Sequence, residues 1–349
     1  MKKLKSILLF LIGALCASIF VDFFLSFSGV VNPIMEIDPE KGERYCPNKT
    51  CNSLFISEGF GLAKTNSKGW FGKEYVQDND SLISIAMIGN SFVASKQVFE
   101  RDNFISICES LMNDSLNNNV AIYNFGKEAL PIKELLFVEE EVEDEYDFDY
   151  LVILLNDRNF DEINRLIPYY ELKNGKLVLN VQYRQSSVYK FYNKIRFLNE
   201  SPLLFLAYRV KNYLKNSPQI LFGKFYRARK HKTKGNNSNK KDEVPIGLAE
   251  RKIIGMLDEK GKIVFLLDLN PELQNDVLPL IKKSPVINLK GTLAEIRSTG
   301  TDPYYWDIAK ERGHWNNSAH QYIGKYLAET LTQLIPSDST MHSNSVHTP

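Results

Sequence analysis

From residue 81 onward, short runs of apolar residues alternate with longer stretches of helical periodicity. The apolar runs are 81–89 (SLISIAMIG), 119–126 (NVAIYNFG), 149–157 (DYLVILLND), 261–270 (GKIVFLLDLN) and 284–289 (SPVINL). Near-continuous Val, Ile and Leu of this length mark strands buried on both faces, the signature of a parallel sheet with crossover helices. The periodicity predicts helices over 97–118, 131–145, 271–283 and 316–334, the last opened by Asn316 and Asn317 as candidate caps. The expected fold is a three-layer α/β/α sandwich with about five parallel strands. Function in such sheets gathers at the carboxyl ends of the strands. Those ends read Gly89-Asn90-Ser91, Asn124-Phe125-Gly126 and Asn156-Asp157.

The third and fourth strands lie about a hundred residues apart, more than one crossover helix requires. An inserted lid or subdomain at about 157–260 is therefore expected. Within it 168–182 reads as a hairpin around Asn174-Gly175, and 187–214 as an aromatic-rich helix. Residues 224–241 hold eight Lys and Arg and read as a solvated surface loop, with acidic glycans or lipid headgroups as the alternative partners. Eight acidic residues in the eleven from Glu139 to Asp149 read as the solvated face of a helix rather than a metal site. Residues 336–349 lack apolar periodicity and are expected to be disordered.

The N-terminus has a different pattern. Lys2, Lys3 and Lys5 precede a run from Ile7 to Phe27 that is apolar or small except for Asp22. This is an export or anchoring signal. The run outlasts a usual signal-peptide core of about 7 to 15 residues, which favours a retained single-pass anchor over 1–31 with a lead-in at 32–80. The Lys-rich end stays cytoplasmic by the positive-inside bias, so the domain at 81–335 is expected on the periplasmic or extracellular side. In an oxidising compartment Cys46 and Cys51 of CPNKTC are close enough in sequence to bridge, whereas Cys108 reads as a core thiol.

Composition narrows the function classes. With 43 Lys and Arg against 42 Asp and Glu there is no global electrostatic case for nucleic acid. The chain carries no phosphate loop, dinucleotide fingerprint or metal-ligand spacing, so no cofactor and no metal are expected.

The residues at the strand ends suggest acyl chemistry. Ser91 sits on a strand-to-helix turn, where a nucleophilic serine stands at the top of the sheet, although Ser at such a junction is also an ordinary cap. Its backbone N–H, that of Gly126 and the amide of Asn156 are candidate donors to an oxyanion. Of the five His, His231, His342 and His347 fall in the basic loop or the tail. His314, in Glu311-Arg312-Gly313-His314-Trp315-Asn316, is therefore the preferred general base, with Glu311 as the acid that orients it.

The order Ser91, Gly126, Asn156, His314 resembles the SGNH (GDSL-like) hydrolase superfamily, named for these four residue types in four sequence blocks. The blocks match as Gly89-Asn90-Ser91-Phe92, Asn124-Phe125-Gly126, Asn156-Asp157 and Gly313-His314-Trp315-Asn316. The last, with Asn66-Ser67-Lys68-Gly69-Trp70 ahead of the first strand, is similar to membrane-anchored bacterial members related to polysaccharide O-acetyltransferases. Asn90 stands where Asp is usual, Leu154 where Gly is common, and Arg312 at the usual place of the acid. Glu311 is then the acid by spacing, Asp307 the fallback, and a Ser-His dyad the third option. His320 resembles a second family histidine with a packing role. The resemblance implies a serine ester hydrolase, and the topology set by the N-terminal anchor makes an acylated small molecule or glycan of the cell envelope the expected substrate. An O-acetyltransferase using the same site and a noncatalytic glycan-binding protein are the alternatives.

Overall fold

The computed structural model describes residues 2–28, 35–38, 42–52, 58–76, 82–116, 119–128, 130–160, 170–173, 176–185, 189–190, 201–216 and 246–335. The basic stretch 224–241 and the tail 336–349 lie outside them, as does the side chain of Cys51, and with it the expected bridge to Cys46.

Five parallel strands form the central sheet: β1 (Ile83–Gly89), β2 (Val120–Gly126), β3 (Tyr150–Asn156), β4 (Ile263–Asp268) and β5 (Val286–Asn288). Their order is β5-β4-β3-β1-β2. The chain leaves β1 for β2 on one side and returns across it to β3 on the other, so the switch point lies between β1 and β3. Registers pair Gly89 with Gly126, Ile88 with Ile153, and Asp268 with Asn156. The carboxyl ends of four strands thus share one rim.

Period-two alternation splits β1 between two cores. Ile85 and Met87 face one layer with Phe104, Cys108, Met112, Trp315, Ile323 and Leu327, while Ala86 and Ile88 face the other with Leu135, Leu136, Ile253, Ile254 and Leu257. The first layer consists of α3 (Phe104–Ser115) and α9 (Asn317–Leu334), flanked by α8 (Lys290–Ser298). The second consists of α4 (Ile132–Glu145) and α6 (Leu248–Asp258). The expected α/β/α sandwich is present.

Two helices are shorter than their apolar pattern suggests. Asn103 accepts from Ser106 N at 2.8 Å and starts α3 there, leaving Glu100–Asp102 as a separate 3₁₀ turn. Downstream of β4, α7 (Pro271–Val277) stops before Pro279 and passes into a 3₁₀ turn at Leu278–Leu280.

The acidic stretch is also not a wholly solvated face. Glu139 is fully buried and its two oxygens lie 2.7 and 2.5 Å from Lys260 Nζ, just beyond α6. Glu141 pairs with Arg44, and Glu134 is buried beside Lys127 at 3.8 Å. Packing α4 against the lead-in and α6 buries these carboxylates with basic partners, which hydrophobic periodicity does not reveal.

The insertion contains an antiparallel hairpin, Tyr170–Lys173 with Lys176–Leu179, and α5 (Pro202–Asn216), whose start is set by Pro202. At the N-terminus α1 (Lys2–Ser28) is a single helix, long and apolar enough to cross a membrane, exposed over most of its length and half-buried at Asp22, Leu25 and Ser28.

Candidate active site

Ser91 follows the end of β1 after a single residue, Asn90, and opens α2 (Ser91–Ala94). Asn90 caps α2, its Oδ1 accepting from Phe92 N at 3.1 Å. The Ser91 backbone N–H lies in the first turn of a helix, where no intrahelical acceptor exists.

His314 reaches Ser91 from the opposite end of the chain. Its Nε2 lies 2.7 Å from Ser91 Oγ. The loop carrying it is pinned on several sides. Trp306 Nε1 donates to His314 O at 3.0 Å, and Asn316 Nδ2 donates to Asp302 O and Tyr305 O at 2.8 and 2.9 Å. Asn316 also caps α9 through Ala319 N. The Phe92 ring packs 4.8 Å from the imidazole and 5.0 Å from Trp315, centroid to centroid.

Behind this loop lies a half-buried acid. Asp268, at the carboxyl end of β4, accepts from Tyr304 Oη at 2.9 and 3.0 Å and from Trp315 Nε1 at 3.1 Å. Burial pushes its pKa up to about 6, against the pull of those two donors.

The acid beside His314 is not the expected one. Glu58 places its carboxylate 2.8 and 3.0 Å from Nδ1 and accepts from the His314 backbone N at 3.1 Å. Burial raises its pKa, but the hydrogen bonds and charge of His314 outweigh that and hold it below the ordinary value of 4.5. Glu311 and Asp307 are excluded by the backbone between them. Trp306 pairs with Glu311 and Tyr305 with Arg312 as a two-residue antiparallel ladder, closed by a turn in which Lys310 takes a positive φ of 57°. Both carboxylates are exposed, and Asp307 faces Lys310 at 3.8 Å.

Glu58 precedes the short lead-in strand Leu62–Lys64 and is 256 residues from His314, with no local pattern to mark it. Two features position it. Phe60 packs edge-on to Phe99, 5.4 Å between centroids, and residue 313 is glycine. A Cβ there would lie 2.2 Å from Glu58 Oε1, so the carboxylate occupies the space a side chain would need.

The three expected oxyanion donors fare differently. Asn156 ends β3 and forms a reciprocal amide pair with Asn90: Asn90 Nδ2 donates to Asn156 Oδ1 at 2.7 Å, and Asn156 Nδ2 donates to Asn90 Oδ1 at 3.3 Å. Arg158 N also donates to Asn156 Oδ1 at 3.0 Å, fixing which end is oxygen. One N–H of the Asn156 amide remains for an incoming oxygen. Gly126 N–H, by contrast, donates to Asn124 Oδ1 at 2.8 Å, which commits it within the chain. Gly126 is required for a different reason, since a Cβ there would lie 2.0 Å from Ala94 N. The site as it stands therefore offers the Ser91 N–H and Asn156.

The other departures from the family pattern are also placed. Leu154 is fully buried in the core, and Arg312 Nη1 lies 2.8 Å from Asp302. His320 is fully buried, accepts at Nδ1 from Phe104 N at 3.1 Å and stacks on the Phe104 ring. Burial drives its pKa down to about 3, so it is neutral and packs rather than exchanging protons. Among the described residues no cluster of His, Cys, Asp and Glu is suited to a metal.

No protein-family model and no curated protein matches the chain. Its structure is similar to several solved hydrolases at low identity. A lipase/acylhydrolase from Enterococcus faecalis aligns over 73% of this chain and 98% of its own, with 12% identity and a TM-score of 0.39. A psychrotrophic esterase from Pseudoalteromonas aligns over 72% and 98%, with 8% identity and a TM-score of 0.36. A carbohydrate acetylesterase family member from Sinorhizobium meliloti aligns over 72% and 99%, with 8% identity and a TM-score of 0.31.

Proposed function

We propose that the chain is a membrane-anchored serine ester hydrolase whose domain faces the periplasmic or extracellular side, acting on an acylated small molecule or glycan of the cell envelope. The observation that carries this reading is the continuous chain Glu58–His314–Ser91, with contacts of 2.8 and 2.7 Å.

The geometry gives each group one task. Glu58 accepts the Nδ1–H of His314, which leaves Nε2 as the base facing Ser91 Oγ. Ser91 attacks the ester carbonyl as Nε2 takes its proton. The oxygen that gains charge is stabilised by the Ser91 N–H and the remaining Asn156 N–H. His314 then returns the proton to the departing alcohol, and water attacks the acyl-enzyme by the same route in reverse. Glu58 stabilises the imidazolium in both halves.

A sugar hydroxyl in place of water makes the same acyl-enzyme an O-acetyltransferase, so the acceptor alone separates those two activities. The noncatalytic reading rested on Asn90, Leu154 and Arg312. Each of them has a packing or pairing role that leaves the Ser-His-Glu contacts intact, which weighs for catalysis.

The test is hydrolysis of p-nitrophenyl acetate by the detergent-purified full-length protein, beside Ser91→Ala and His314→Ala. Turnover abolished in both folded variants supports the reading. Turnover unchanged in either refutes it; once turnover is lost in both, acetylated glycans offered as acyl donors and bare glycans as acceptors decide between water and sugar.

A further inference from the structure

Among the described residues two hydrogen bonds to one carboxylate join the apolar N-terminal helix to the insertion, and no residue in them belongs to the active site. Asp22 is the single charged residue of α1 beyond Lys5. Its Oδ1 accepts from Ser201 Oγ at 2.7 Å and from Leu203 N at 2.8 Å. It therefore caps the first turn of α5 from a distant helix, satisfying a backbone N–H that has no intrahelical partner. The two helices also pack against each other.

The position of Asp22 along α1 fixes a depth. It lies seventeen residues after Lys5, about 25 Å at 1.5 Å per residue. A bilayer core is about 30 Å thick. With the Lys-rich end at one surface, Asp22 reaches the vicinity of the opposite one, and so does the start of α5. Ionisable groups within such a span ordinarily mark a specific partner.

The composition of α5 fits that location. Its sequence, PLLFLAYRVKNYLKN, has Arg209, Lys211 and Lys215 and no acidic residue. Leu203, Phe205, Leu206 and Tyr208 are half-buried against the protein. Leu204, Ala207 and Lys211, spaced i, i+3 and i+7, are exposed on one face with Val210 at its edge, and Leu204 and Val210 keep nearly half of their surface. An apolar stripe beside basic residues, starting at the end of a membrane-length helix, is the pattern of a helix lying in the headgroup region of an anionic bilayer.

We infer that α5 lies on the membrane surface, with Leu204, Ala207 and Val210 against the lipid, and is clamped to the anchor by Asp22. The occupant of this face is the bilayer itself. A helix that serves as a cap for the insertion is also part of the folded protein, so α1 is retained rather than cleaved. The clamp holds this helix of the insertion at the membrane. The inference rests on the anchor reading above but not on catalysis.

The experiment uses full-length protein reconstituted in vesicles of phosphatidylcholine and phosphatidylglycerol. An environment-sensitive fluorescent amino acid replaces Leu204, Val210 or, within α1, Phe10. Lipids carry a nitroxide quencher near the headgroup or deep in the acyl chain. The expected result is loss of most emission at 204 and 210 with the shallow quencher alone, and at 10, five residues into the span from Lys5, with both. Water-like emission at 204 and 210, unaffected by either lipid while position 10 is quenched, overturns the inference and leaves the anchor standing. Absence of quenching at position 10 overturns both.

The clamp has its own arm. Asp22→Asn keeps the acceptor Oδ1 and is expected to retain quenching at 204, whereas Asp22→Ala loses it. Equal quenching in Asp22→Ala and the wild type overturns the clamp. Near-ultraviolet circular dichroism of both variants registers whether the α/β domain is folded, and a folded domain in Asp22→Ala is the expected result.

Discussion

Glu58 and His314 meet twice, once at the imidazole Nδ1 at 2.8 Å and once at the His314 backbone N–H at 3.1 Å. The double contact fixes both the ring's tautomer and the loop's position with a single carboxylate. A residue before the first sheet strand thereby joins His314, in the loop ahead of α9, and Ser91, at the start of α2.

That arrangement depends on the missing side chain at 313. In Gly313→Ala the new methyl would lie 2.2 Å from Glu58 Oε1 and 2.4 Å from Cδ, so the carboxylate must move. The expected result is a drop in kcat of about 10- to 100-fold, or about 1.4 to 2.7 kcal/mol, with KM little changed. Steady-state ester hydrolysis checks it. Wild-type kcat in this variant would contradict a fixed Glu58.

The amide pair of Asn90 and Asn156 makes the exchange of the usual Asp testable. Asn90 Nδ2 donates to Asn156 Oδ1, which Arg158 N already holds in place. In Asn90→Asp an ionised carboxylate would set oxygen against oxygen, so the buried acid retains a proton to keep the contact. Activity relative to wild type should then fall as pH rises from about 5 to 8, as the proton is lost and Asn156 turns. A ratio independent of pH would count against Asn156 being positioned by residue 90.

The two acids near His314 have opposite effects on stability. Asp268 has a folded pKa of about 6 against an ordinary 3.8, so between those values the folded chain keeps a proton the unfolded chain has lost. Its contribution is present below 3.8 and disappears as pH rises through about 6, a loss of at most about 3 kcal/mol. Asp268→Asn should remove this slope, with the Tyr304 hydroxyl turning to accept from the new amide. Glu58 is depressed, so its contribution is present above 4.5 and declines on further acidification. Thermal melts from pH 4 to 8 check the sign. A wild-type Tm that rises between pH 4 and 6 more steeply than that of Asp268→Asn would be the wrong direction for this acid.

The sheet was legible because strands such as β1 and β3 are apolar on both faces, and that property survives in one dimension. The places of Ser91 and Asn156 were legible because one opens and the other closes an element, and that of His314 because it stands just ahead of the last helix, in an order resembling a known family. Glu58 was not, since nothing within the lead-in signals a contact 256 residues away. Glu311 stood in its place by proximity. The short ladder of Tyr305 and Trp306 with Glu311 and Arg312 turns that carboxylate outward, and no periodicity reveals a two-residue strand. The N–H of Gly126 was misjudged because the acceptor that takes it, Asn124 Oδ1, is a side chain two residues back. In the same way, the buried pairing of Glu139 with Lys260 is a tertiary event that a run of acidic residues conceals.

On the proposed reading His314 activates Ser91, and Glu58, not Glu311, supports the imidazole. The most direct measurement is the rate at which a fluorophosphonate labels Ser91, followed by intact-protein mass spectrometry, in the wild type, Glu58→Gln and Glu311→Gln. Melting curves establish that each is folded. Glu311→Gln should label at the wild-type rate, and Glu58→Gln about 100-fold or more slower, in keeping with the cost of losing a triad carboxylate. Labelling of folded Glu58→Gln at the wild-type rate, or a comparable loss in Glu311→Gln, would contradict the account.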